Sequence, residues 1–155
     1  MPLPRPRPSL MLPRMLSKFM TKWRALKPEE RHFAALAWVA APLVELSLWT
    51  IGMKHTVGLV ERCTGSGADE AARVTDVGRA RALVDGVYRR HLVRGECLPR
   101  SIVQYGLQRR AGLQVRLVVG VRRLDGFQAH AWVEGADEPA PSDASYSPLY
   151  VTGSA

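Results

Sequence analysis

Cys97 and His130 have the sequence surroundings that best suit a nucleophile and its base in this 155-residue chain. Cys97 opens the segment Cys-Leu-Pro-Arg-Ser-Ile-Val-Gln-Tyr-Gly-Leu. Pro99 fits a first helical turn, and Gly112, after Arg110 and Ala111, fits a left-handed cap. The spacing therefore predicts a helix with Cys97 at its amino end. Unpaired N–H groups and the helix dipole favour negative charge there, and the thiolate is the reactive form of cysteine. His130 falls in a run, Phe127 to Glu134, where Ala129, Ala131 and Val133 alternate with Gln128, His130, Trp132 and Glu134. That alternation predicts a strand, with His130 on the side away from the small apolar residues. Asp137 and Asp143 follow in a polar loop before a third short strand over residues 148–152. A cysteine at a helix start, a histidine on a strand and an aspartate before the next strand is the order required by a nucleophile, its base and an orienting carboxylate. Each residue also has a plainer reading: a small buried cysteine, a structural histidine, a turn-forming aspartate.

Other chemistries find less support. Cys63 and Cys97 do not make a disulfide framework, and the chain opens with no secretory signal, so the expected compartment is the cytoplasm. Cysteines this far apart, with His32, His55, His91 and His130 scattered between and beyond them, lack zinc-ligand spacing. The expectation is no metal and no cofactor.

The elements that must position Cys97 and His130 can be read on both sides of them. Lys27-Pro28-Glu29-Glu30-Arg31 is a helix start, with proline in the first turn and acids at the positive end of the dipole. The following stretch, Phe33 to Ile51, is apolar and almost long enough to span a bilayer. Glu45 within it, Pro42 and five alanines argue for a kinked, buried helix or helix pair instead. Residues 64–68 form a loop by composition, and Ala71 to Arg94 shows a second amphipathic helix ending at Gly95. After Gly112, Leu113, Val115, Leu117, Val119 and Val121 alternate as a half-buried strand, and Asp125-Gly126 turns the chain into a hairpin with the His130 strand.

Charge bounds the partners. Of 22 bases, seven lie in residues 1–27, which contain no acid; the other fifteen face fourteen acids. The excess of +8 is mostly a property of the tail, and a basic tail without a stacking or groove-reading motif is a weak nucleic-acid signal, so no nucleic-acid partner is expected. Residues 1–14 alternate proline and arginine, and Met15, Leu16, Phe19, Met20 and Trp23 fall at helical spacing, a pattern that suits a short amphipathic helix touching a membrane surface or a partner. Twelve arginines within residues 73–123 could steer an acidic peptide, although solvated helix faces give the same pattern.

The string CLPRSIVQYGLQRRAGLQVRLVVGV followed by AHAWVE resembles the catalytic domain of lasso-peptide leader peptidases, which are transglutaminase-like cysteine proteases. The likeness is specific from Cys97 to Glu134 and looser upstream to about Lys27. It implies an α+β fold: a transglutaminase-like or papain-like core, with N-terminal helices packed on a small antiparallel sheet. Residues 1–26 would be a basic arm, disordered or a short amphipathic helix, and residues 27–155 the peptidase domain, helical over 27–94 with its catalytic core over 95–152. By position Cys97 matches the family nucleophile and His130 its base. Asp143 fits the carboxylate best and Asp137 remains open, because the loop here is longer than the family's. The resemblance also implies a substrate, the lasso precursor peptide, and two partners. One is a small leader-binding protein, since residues 1–27 are too short to form such a domain; the other is a macrolactam-forming cyclase. The rivals are amine transfer by the same residues, a non-catalytic scaffold, and a membrane-associated protein. For Arg100, Ser101, Trp132 and Glu134 the expected role is site architecture.

Overall fold

The computed structural model describes residues 23–65, 76–90, 97–123, 126–135 and 146–152. Helix α1 (Pro28–Thr64) begins where Lys27 leaves extended geometry at ψ 156°. Pro28 presets the helical φ and has no N–H to leave unpaired. The Glu30 carboxylate accepts the Lys27 N–H at 3.0 Å and Arg79 Nε at 2.6 Å, so the helix start is pinned to the helix that follows.

The expected kink at Pro42 does not break the helix. The break falls at Gly52, whose φ of 75° and ψ of 173° lie where L side chains are rarely found. Ser47 Oγ and Thr56 Oγ1 are 2.9 Å apart. Nine residues of straight helix would separate them by about 13.5 Å, so the two arms double back as a helical hairpin. The Thr56 hydroxyl donates to the Gly52 carbonyl at 2.8 Å and so closes the turn. The expectation of a buried segment also needs correction. Phe33, Ala34, Ala37, Ala41 and Val44 are buried, whereas Val39, Leu43, Leu46 and Trp49 are exposed. The second arm packs so closely on the third helix that a Cβ at Gly106 would stand 2.7 Å from Val60 Cγ1.

Helix α2 (Val77–Tyr88) is shorter than its apolar spacing suggests. The extended Asp76 caps it by accepting the Arg79 N–H, and it ends at Tyr88 before the cap residue Arg89. It therefore starts after Ala71 and stops before Arg94, while the expected cap Gly95 lies outside the described residues. Its buried Ala80, Leu83, Val84 and Val87 join the α1 face in the core.

Helix α3 (Cys97–Arg110) closes as its glycine predicts. Gly112 takes φ 83°, its N–H donates to the Arg109 carbonyl at 2.9 Å, and the Leu113 N–H reaches the Gln108 carbonyl at 3.0 Å. These two bonds satisfy carbonyls that the last turn would leave open. Four residues separate the end of α3 from the sheet. Strand β1 (Val115–Arg123) pairs antiparallel with β2 (Phe127–Gly135) and with β3 (Ser147–Val151), in the order β2-β1-β3. The β1–β2 register runs from Val115↔Gly135 to Arg123↔Phe127. Leu117 and Val133 face the helices, and with Phe33, Val57, Val84 and Ile102 they form one core. Burial of each large side chain contributes about 1.5–3 kcal/mol.

Candidate active site

Cys97 is the first residue of α3 and is half-buried. The face it begins continues through Ser101, Gln104 and Gln108 at helical spacing, and all three polar residues are buried. Ser101 Oγ donates to the Ala131 carbonyl at 2.8 Å. Ala131 follows His130 directly, so this bond ties the first turn of the cysteine helix to the histidine strand.

The direction of that carbonyl follows from the sheet. The Leu117 N–H donates to Thr152 Oγ1 at 2.8 Å, and the Leu117 carbonyl accepts the Thr152 N–H at 3.0 Å. Both backbone groups of Leu117 thus point toward β3. Its partner across β2, Val133, is then in a non-hydrogen-bonded pair whose carbonyl points off the free edge of the sheet. By the two-residue repeat, so does that of Ala131. Side chains occupy both: Ser101 at Ala131, and Arg81 Nη2 at Val133 at 3.1 Å. The edge of β2 is held against α2 and α3 by donors from each.

The helix and strand then share a level. Helix α3 ends beside the Val115 and Gly135 end of the sheet, so its amino end lies toward Phe127. Cys97 precedes Ser101 by one turn, about 5.4 Å of rise, and a strand advances about 3.3 Å per residue. With Ser101 bonded to Ala131, an α3 axis running along β2 would bring Cys97 to the level of Ala129 and His130. The thiol and the imidazole are not hydrogen-bonded to each other.

His130 occupies the sheet face opposite the core, as the alternation requires. Its ring stacks on Trp132 at 6.0 Å between centroids and 18° between planes, and tilts against Tyr146 at 5.6 Å. Trp132 is fixed in turn. Its Nε1–H donates to Glu134 Oε1 at 2.9 Å, and Arg116 Nη2 holds the other Glu134 oxygen at 3.3 Å. Beneath it Gly120, the register partner of His130, leaves room that a side chain would fill: a Cβ there would meet Trp132 Cη2 at 2.7 Å and Cζ3 at 2.9 Å. Arg122 lies over the Tyr146 ring at 4.7 Å. On this face Val118, the register partner of Trp132, is only 3% exposed.

Arg100 of the same first turn pairs with Asp85 of α2 at 3.6 Å. Asp137 and Asp143 lie outside the described residues. Reading the sequence missed Tyr146, Gly120 and Arg81. A glycine inside an apolar strand was the available signal for Gly120, since it often marks the close approach of another group. Nothing local announced Arg81, which acts across 52 residues. Among the described residues no group of three or more His, Cys, Asp or Glu side chains could hold a metal ion.

No curated protein and no solved structure matches the chain. A family does: over residues 37–152, a span that runs from the first arm of α1 through Cys97 and His130 to the end of the sheet, the family model matches, and the chain belongs to the transglutaminase-like superfamily, whose members are usually cysteine peptidases or transglutaminases.

Proposed function

We propose that this protein is a cysteine peptidase that removes the leader segment from a lasso-peptide precursor, with Cys97 as nucleophile, His130 as base and Asp143 as the orienting carboxylate. The observation that supports the reading is the Ser101–Ala131 hydrogen bond, which ties the first turn of α3 to the residue that follows His130 on β2. The lasso assignment rests on the motif string from Cys97 to Glu134. Asp143 is favoured over Asp137 by chain position. It precedes by three residues Tyr146, whose ring lies against His130. Asp137 follows Gly135, which is five strand residues, about 16 Å, from His130.

In this mechanism a nitrogen of His130 takes the Cys97 proton, and the thiolate attacks the scissile carbonyl carbon. The developing oxyanion is met by the Cys97 N–H at the start of α3, where no helical carbonyl competes for it. His130 returns its proton to the departing amine, leaving a thioester on Cys97. Water, deprotonated by His130, then hydrolyses the thioester. Trp132 and Tyr146 hold the imidazole ring against rotation. Leader recognition comes from a separate small partner, and the released core passes to a macrolactam-forming cyclase, with all steps in the cytoplasm.

Mass spectrometry of the precursor incubated with its leader-binding partner tests this. Parent protein should yield one leader fragment and one core, each ending in a free acid or amine, and Cys97→Ala should yield neither. Equal cleavage by both proteins removes Cys97 from the chemistry. A product joined to an added amine would make the enzyme a transamidase.

A further inference from the structure

The exposed face of the first α1 arm carries no charge from Ala35 to Ile51 except the half-buried Glu45. A helix on a protein surface ordinarily presents its charged side to water. Here Val39, Leu43, Leu46 and Trp49 recur at three- and four-residue steps, with exposures of 62%, 60%, 58% and 86%, and Leu59 of the second arm adds 50%. The two arms therefore form one continuous apolar surface. Scattered exposed apolar residues are ordinary, but a contiguous surface of this kind marks an interaction site.

We propose that this hairpin face is the surface by which the protein lies on an anionic lipid bilayer. Two observations choose lipid over a protein groove. Cations flank the apolar run along the chain: Lys27 and Arg31 stand at the start of α1, Lys54 just beyond the Gly52 turn, and Arg62 near the end of the second arm. The surplus of positive charge in the whole chain is concentrated next to α1, in residues 1–27. An apolar stripe bearing an exposed tryptophan, bounded by lysine and arginine, is the composition that seats a helix at the boundary of headgroups and acyl chains. Anionic lipid adds a salt-sensitive attraction for the bases.

The fold also fixes the geometry. The opposite face of the same arm buries Phe33, Ala37, Ala41 and Val44 in the core shared with α2 and α3. The arm cannot turn to cross the bilayer without opening that core, and Glu45 would oppose a crossing. The hairpin therefore lies in the plane of the surface. Its outer side chains enter the lipid while the sheet and Cys97 stay on the aqueous side.

Flotation of the full chain with vesicles tests this without reference to catalysis. Phosphatidylglycerol-rich vesicles should carry the protein up the gradient, and pure phosphatidylcholine or high salt should carry much less. Leu46→Ser combined with Trp49→Ser should weaken binding about tenfold or more, the factor that corresponds to about 1.4 kcal/mol. Both residues are exposed, so unchanged circular dichroism and melting confirm that the variant is folded. Trp49→Phe should float like the parent but lose most of the quenching of tryptophan emission by brominated lipid. Flotation unaffected by the double substitution would assign binding to the basic arm and overturn the proposal. Failure to float would overturn it as well. So would a parent dimer that the double variant dissociates, since a second copy would then be what covers this face.

Discussion

Replacing Ser101 by alanine removes one oxygen atom and tests the joint on which the site depends. Ser101 is 5% exposed, and its hydroxyl is the donor for the Ala131 carbonyl at 2.8 Å. Alanine fits the space but leaves that buried acceptor without its partner, at a cost of about 1–3 kcal/mol. A domain of this size loses about 2–4 °C of melting temperature per kcal/mol, so Tm should fall by about 2–12 °C. The neighbouring Arg100→Ala is the internal comparison. Its ion pair with Asp85 spans 3.6 Å between side chains 43% and 33% exposed, which limits its contribution to less than about 1 kcal/mol. Thermal unfolding followed by circular dichroism should therefore rank the small neutral substitution as more damaging than loss of the larger charged side chain. On the proposed mechanism, turnover of precursor by Ser101→Ala should also drop with little change in KM, because the bond ties the helix that begins at Cys97 to the strand that carries His130 and would not touch the peptide. A melting curve for Ser101→Ala that overlays the parent, or a smaller shift than that of Arg100→Ala, would refute the reasoning.

Gly120→Ala should destabilise the fold by about 1–3 kcal/mol, because its Cβ has to displace Trp132; a change in tryptophan emission would report the shift and, on the proposed mechanism, slower precursor cleavage would report its passing to His130. Glu30 gives a pH signature. The Arg79 hydrogen bond holds its carboxyl below the ordinary glutamate range, against the opposing effect of burial. A carboxylate shifted downward contributes stability that is full above its unfolded pKa and is lost as pH falls through its folded one. Denaturant unfolding of the parent should weaken on acidification below the usual glutamate range, and Glu30→Gln should flatten that limb by about 1 kcal/mol or less, since Arg79 is half exposed.

The parts of the fold that were legible in the sequence are those governed by neighbours in the chain. Pro28 and Glu30 marked the start of α1, Gly112 marked the end of α3, and strict alternation around His130 gave both a strand and the side on which the imidazole stands. The expected helix pair is present, but its break does not fall at Pro42, because Pro42 and Gly52 compete in the same segment. A proline on an outer face costs one hydrogen bond and can be bent around, whereas a residue at φ 75° ends helical geometry outright. The ends of α2 were misread because apolar spacing continues past Asp76, while the cap is decided by one side-chain oxygen. The aromatic surround of His130 was invisible for a different reason. Trp132 and Tyr146 are separated in sequence by the whole connection between β2 and β3, and only the sheet brings their rings to 6.1 Å.

The side-chain donors along β2 restrict how a peptide can approach. An outermost strand usually offers its carbonyls to any extended chain that can lie beside it, and many peptide-binding domains take their ligands that way. In this protein Ser101 and Arg81 have already taken the positions at Ala131 and Val133, so that half of the border is closed to strand addition. Among the described residues, no side chain takes the run from Phe127 to Ala129, all of it exposed. Among the described residues, an extended chain could therefore pair with this border only toward the hairpin end, on the side of His130 away from Ala131 and Val133.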